Sequence, residues 1–227
     1  MLQAIAPEIW HLQHQFVASG MRISSRMTVV RLASGALWLH SPVPMSAELR
    51  SQLAALGRVE FIVAPNKMHH LFAEECLAAF PDAKLFGAPG LKAKRPDLQD
   101  LTELGSVAEA AWQDELEQQF FGGIPSGNET VWFHKSSGTL IMTDLCQWWQ
   151  GALPFATRAY AALTGVRRRL SVPRTVRWMV KDRQAARTSA QAILQWPITR
   201  VIVAHNAIVE DDAHAALEQA LSCFIDA

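Results

Sequence analysis

Short apolar runs divided by polar turns dominate the first half of the chain. Met27–Leu32 and Ala36–His40, rich in Val, Leu and Trp, flank Ala33-Ser34-Gly35 and predict a hairpin closed at a glycine. Ser46 stands where a helix cap belongs. Behind it Leu49, Leu53 and Leu56 recur at helical spacing up to Gly57, which predicts a helix over Ala47–Leu56. Val59–Ala64 is a continuous apolar run, as expected of a strand covered on both faces. Asn66 is positioned to cap a following helix from about Met68 to Phe80, stopped by Pro81, and Lys84–Ala88 reads as the next strand. Strand, helix, strand in this order implies parallel pairing.

The second half starts in a different style. Gln118–Phe121, Thr130–His134 and Thr139–Thr143 read as strands, the last two joined by Lys135-Ser136-Ser137-Gly138. Between Gln147 and Trp196 the pattern predicts mainly helix, with Ser171 and Pro173 opening the longest piece and Pro197 closing it. A strand at Arg200–Ala204 and a helix from about Asp211 to Ser222 complete the reading. No repeat, low-complexity tract or linker divides the chain, so one domain over residues 1–227 is expected, with two sheets between helix layers.

Composition narrows the classes. Of 227 residues, 50% are hydrophobic and 19% charged, which is too apolar for a disordered chain. Lys plus Arg and Asp plus Glu number 21 each, so the chain lacks the basic surplus of a general nucleic-acid binder. The three cysteines, Cys76, Cys146 and Cys223, are widely spaced and make neither a disulfide framework nor a zinc knuckle. The first residues do not read as a signal peptide, and no apolar run approaches the roughly 18 residues of a membrane span. A cytoplasmic protein with neither a membrane nor a nucleic acid as partner is expected.

Three places set metal-capable side chains at the C-terminal ends of apolar strands, where active sites of layered α/β folds collect. They are Pro65-Asn66-Lys67-Met68-His69-His70 after one strand, Asp144 after the next and His205 after the third. An ionisable residue ending an apolar strand costs solvation unless it meets a partner. His69, His70, Asp144 and His205 together offer three nitrogens and one oxygen, a set suited to zinc, with iron or manganese as alternatives. At a helix N-terminus, His69 and His70 would be favoured in the neutral, metal-binding form. Four protein donors would make a closed structural site; if one stays off, the open position could hold a water of lowered pKa.

The order of a strand, a His-containing turn and a helix, then Gly138-Thr139-Leu140-Ile141-Met142-Thr143-Asp144, then Val201-Ile202-Val203-Ala204-His205, resembles the metallo-β-lactamase superfamily. The resemblance runs from about Met27 to the C-terminal helix. Leu39-His40-Ser41-Pro42-Val43-Pro44, Ala64–His70 and Ala88-Pro89-Gly90-Leu91 are more closely similar to a divergent branch described as a domain of unknown function. The resemblance implies an αββα sandwich of two mixed β-sheets flanked by helices, and metal-dependent hydrolysis of a small molecule. With the last His of the superfamily's His-x-His-x-Asp-His turn placed on His70, its other ligand positions fall on Pro65, Lys67 and His69. A second ligand segment falls near Gly123-Ile124-Pro125-Ser126-Gly127, with Ile124 in place of its histidine. The first metal site is then lost. The second keeps His70, Asp144 and His205, with His69 for the Asp, and implies one divalent metal, or none if the site is degenerate. A register one residue earlier would put Asn66 and Met68 on ligand positions instead.

In the first register Lys67 occupies a lost metal position, so its ammonium either holds Asp144 ionised and polarises a substrate oxygen or is that of a loop lysine reaching into solvent. Asp144 and Lys67 are the expected catalytic pair. Other candidates carry plainer readings. His40 could face the same cleft but reads first as a strand-end residue, and His134 reads as structural. His11 and His14 would point to opposite faces and so not ligate together. Trp148 and Trp149 could line a pocket but read first as core, and Cys146 lacks an evident base. Arg158 to Arg187 holds nine basic side chains and one acid, Asp182. Arg174, Arg177 and Lys181 would form one helical stripe, either a solvated face or a rim attracting an anionic substrate. A non-catalytic member of the same fold, binding a ligand or partner without turnover, is the competing expectation.

Overall fold

The computed structural model describes residues 1–18 and 20–226. One sheet has seven strands in chain order: β1 (Gln3–Ala6), β2 (Ile9–Ala18), β3 (Met21–Arg31), β4 (Ala36–His40), β5 (Arg58–Ala64), β6 (Lys84–Gly87) and β7 (Thr102–Glu103). The first four form an antiparallel meander and the last four pair in parallel. Helices α1 (Ala47–Leu56), α2 (Ala73–Ala79) and the single turn α3 (Leu91–Lys94) make the crossovers. The second sheet contains β8 (Leu116–Phe120), β9 (Thr130–His134), β10 (Thr139–Ile141), β11 (Arg200–Ile202) and β12 (Ile208–Val209), in spatial order β12-β11-β10-β9-β8. Within it only β10 and β11 are parallel. Helices α4 (Phe155–Thr164), α5 (Arg174–Trp178) and α6 (Arg183–Ile193) lie between β10 and β11, and α7 (Ala213–Ile225) ends the chain.

The period-2 alternation of the central strands explains the layering. Phe61 and Val63 of β5 face Trp132 of β9 and Ile141 of β10 across the space between the sheets. Ile62 and Ala64 of the same strand point the other way, onto Leu49 and Leu53 of α1 and Ala73 and Cys76 of α2. On the second sheet Phe133, Leu140 and Val201 pack against Ala186, Ala190 and Ile193 of α6 and Leu217 and Leu221 of α7. This is an αββα sandwich of two mixed sheets.

Two expectations fail locally. The helix expected from Met68 forms only from Ala73. The Asn66 carboxamide oxygen accepts from both Met68 N and His69 N at 2.7 Å, closing a side-chain turn before any helix begins. His69 and His70 therefore precede the helix. The segment from Gln147 to Trp196 is broken into three helices: Gly165 ends α4 in a left-handed conformation, and Asp182 caps α6 by accepting from Ala185 N. Pro173 does open a helix, but α5 is only five residues long. Arg174 and Arg177 lie on it and Lys181 lies beyond its end, so the three share no helical stripe.

Candidate metal centre

Every strand that delivers a site residue does so at one rim of the sandwich. The chain leaves β5 through Pro65 and the Asn66 turn, which aims His69 inward. Asp144 follows β10 and His205 follows β11. One ligand atom each from His69, Asp144 and His205 lies within 4.8 Å of the others. His69 Nε2 is 3.3 Å from Asp144 Oδ2, and His205 Nε2 is 3.0 Å from Asp144 Oδ1.

The far side of each imidazole is fixed. His205 Nδ1 is 2.6 Å from the Ser24 carbonyl, which can only accept, so Nδ1 carries the proton and Nε2 is left for the cleft. His69 Nδ1 meets the Ser41 hydroxyl at 2.7 Å. Ser41 takes a left-handed backbone conformation (φ 54°), which a non-glycine residue holds only where its surroundings over-determine it. Trp149 stacks on the His205 ring, centroids 5.1 Å apart. Asp144 is held as well: Asn66 Nδ2 donates to Oδ2 at 3.0 Å and Gln147 Nε2 to Oδ1 at 3.3 Å. Burial alone would raise its pKa, but His69 and His205 hold the carboxyl well below the usual range. His205 shows the converse: burial lowers its pKa, and Asp144 with the Ser24 carbonyl raises it to a net upward shift.

Glu129, immediately before β9, is buried and was not among the expected residues. Its carboxylate accepts from three successive backbone N–H groups, Thr143 at 2.6 Å, Asp144 at 2.8 Å and Leu145 at 3.0 Å, and from Asn66 Nδ2 at 3.2 Å. Burial and the Asp144 charge push its pKa up, against those N–H groups. One side chain thus shapes the loop that presents Asp144 and ties it to the Asn66 turn. Arg26, also buried, does similar work on the His205 loop, donating to the carbonyls of Val203 at 3.1 Å and Asn206 at 2.6 Å. The signal for Glu129 in the sequence is an ionisable residue directly before the buried strand Thr130–His134.

Two expected site residues lie elsewhere. His70 Nδ1 accepts from Arg95 Nη1 at 3.0 Å, among Arg95, Asp97 and Glu74. Burial, then the Lys94 and Arg95 charges, bring its pKa down to about 4. It is not brought into the cluster. Lys67 Nζ donates to the Pro125 carbonyl at 3.0 Å, whereas the ion pairs of Asp144 are with His69 and His205. The Asn66 turn sets the direction: Asn66 and His69, not Lys67 and His70, meet Asp144. Cys146 is buried and its thiol is pushed well up by burial, an inert environment. His40 stacks on Trp38, and its pKa is lowered by burial and then by the His69 charge; His134 meets the Ser137 hydroxyl at 2.8 Å.

The donor set suits a divalent ion. Ligands bound at about 2.1 Å in tetrahedral array stand about 3.4 Å apart. Here His69 Nε2 is 3.3 Å from Asp144 Oδ2, His205 Nε2 is 3.0 Å from Oδ1, and one ligand atom from each of the three lies within 4.8 Å of the others. Imidazoles anchored at Nδ1 and a hydrogen-bonded carboxylate are the outer support such a centre needs. A cavity of about 410 Å³ opens above the three residues. Among the described residues no helix is long and apolar enough to cross a membrane.

The fold is that of the metallo-β-lactamases. A metallo-β-lactamase from Pontibacter korlensis superposes with a TM-score of 0.68 at 14% identity, covering 100% of this chain and 99% of that one. One from Erythrobacter litoralis gives 0.64 at 12% identity, covering 99% and 94%. The Flv1 flavodiiron core from Synechocystis gives 0.66 at 8% identity, covering 100% of this chain and 60% of that one. No curated protein matches the sequence. A family model, domain of unknown function DUF4336, matches residues 6–150, and the chain belongs to that family.

Proposed function

We propose that the protein is a metal-dependent hydrolase with a single-metal centre formed by His69, Asp144 and His205, acting on a small molecule within one domain. The observation that carries this reading is the convergence of two imidazoles, each held at Nδ1, on one hydrogen-bonded carboxylate beneath a cavity. A divalent ion such as zinc would supply Lewis acidity there, polarising a substrate oxygen and lowering the pKa of a water. The remaining work falls to the chain. Ser41 and the Ser24 carbonyl keep Nδ1 of each histidine occupied, so both offer Nε2. Asn66 and Gln147 hold the Asp144 oxygens, and Glu129 keeps the loop behind them in place. Three donors leave a fourth position for substrate or water, as catalytic sites require.

A second reading has its own support. Asp144 satisfies both histidines directly, at 3.0 and 3.3 Å, so the same cluster could serve a binding protein that performs no chemistry. Metal content and turnover together separate the two. After zinc-replete purification and gel filtration, about one zinc per chain is expected, and less than about a fifth of that in Asp144→Asn or His205→Ala. Chelator-sensitive hydrolysis of p-nitrophenyl butyrate supports the enzyme, and zinc without turnover of it or other small esters and amides supports the binding protein. Wild-type protein without zinc overturns the hydrolase and leaves the binding protein, whose histidines Asp144 satisfies by itself.

A further inference from the structure

The cavity brings the polar cluster and several large apolar side chains together. Ser25, Ser41, Asn66 and the His–Asp–His cluster make one end. The walls include Ile23, Phe72 and Val176, and Met68, Leu71 and Met179 line the cavity while keeping 58%, 56% and 46% of their surface exposed. Large apolar side chains left half in water around an opening mark a surface that a ligand covers.

Charge points the same way. The lining contains neither Lys nor Arg, and its carboxylates are Asp144 and Glu129. A divalent ion there would be balanced by those two groups, leaving no surplus positive charge for an anion. Two of the three basic residues expected to attract one are engaged elsewhere. Arg174 Nη1 donates to the Leu163 carbonyl, and Arg177 Nε to that of Val172. Arg177 lines a separate, smaller cavity with Trp178 and Cys223. An anionic ligand would lose its hydration against apolar walls with no lysine or arginine to receive it.

We propose that the ligand is an uncharged, mainly hydrocarbon molecule carrying one oxygen function of the amide or ester kind, its oxygen at the His–Asp–His floor and its chain along Ile23, Phe72 and Val176 to the mouth. Its polar end rests on the metal reading; its hydrocarbon end does not. This replaces the anionic substrate expected from the basic segment.

The test is calorimetric titration of the full-length, zinc-treated protein with butanamide, hexanamide and octanamide. Each added methylene is expected to tighten binding about threefold to fourfold. Octyl sulfate, an anion and a poor zinc ligand, should displace octanamide only at about tenfold or more higher concentration. Leu71→Ser with Met179→Ser alters two exposed positions and should weaken octanamide binding about fivefold or more. Affinity independent of chain length, octyl sulfate competing on equal terms, or an unchanged double variant each overturns the inference. Repeating the series on His205→Ala separates the two readings. A retained methylene increment without zinc in either protein leaves the hydrocarbon site standing and removes the metal; zinc in the wild type without any increment does the reverse.

Discussion

Glu129 shows most plainly how much of the centre depends on a residue outside it. Three consecutive N–H groups point at one buried carboxylate, and removing it leaves them without acceptors. Glu129→Gln replaces one acceptor oxygen by a donor and is expected to cost about 2–4 kcal/mol of stability in urea unfolding. Zinc affinity, read by competition with a chromophoric chelator, should fall about tenfold or more as Asp144 loses its fixed position. At this scale the sequence was partly legible. Asp144 and His205 could be picked out because each ends an apolar strand, where an ionisable group requires a reason. The choice between His69 and His70 could not be made that way. Adjacent residues differ by a direction in space, and that direction was set by the side chain of Asn66 hydrogen-bonding the two backbone groups after it.

At the scale of elements, β4, α1, β5 and β9 were readable because an apolar period, a cap or a glycine turn marked each one. The stretch between β10 and β11 misled because its composition favours helix while its breaks come from Gly165, Pro173 and the Asp182 cap. The long β2 strand carries a pH-dependent contact. His11 Nδ1 lies 2.6 Å from Arg26 Nη1, and burial, then the Arg26 charge, bring its pKa down to about 4 from the ordinary 6.5. Between those values the unfolded chain binds a proton that the folded chain does not, so stability falls as pH drops from 6.5 towards 4. His11→Gln, which keeps an acceptor for Arg26, is expected to lose less stability over that interval. Urea midpoints at pH 7, 5.5 and 4.5 for the two proteins give the comparison.

For the whole molecule, the centre joins the two sheets: His69 leaves the seven-stranded sheet, and Asp144 and His205 leave the five-stranded one. An ion bound there stabilises only the folded arrangement. Free zinc at about a hundred times its dissociation constant should add about 2.7 kcal/mol, or about 5–10 °C in thermal midpoint for a chain of this size. Calorimetry with and without chelator measures the difference, and Asp144→Asn should abolish it.

The division of donors along the chain has one more consequence. The segment that defines the family, residues 6–150, holds His69 and Asp144, while His205 comes from the remainder. The exposed Gly151 and Ala152 mark the junction between the two. Severed there, neither fragment would own a complete set of ligands, and zinc would become the glue of a split protein whose reassembly reports the ion that bridges its halves.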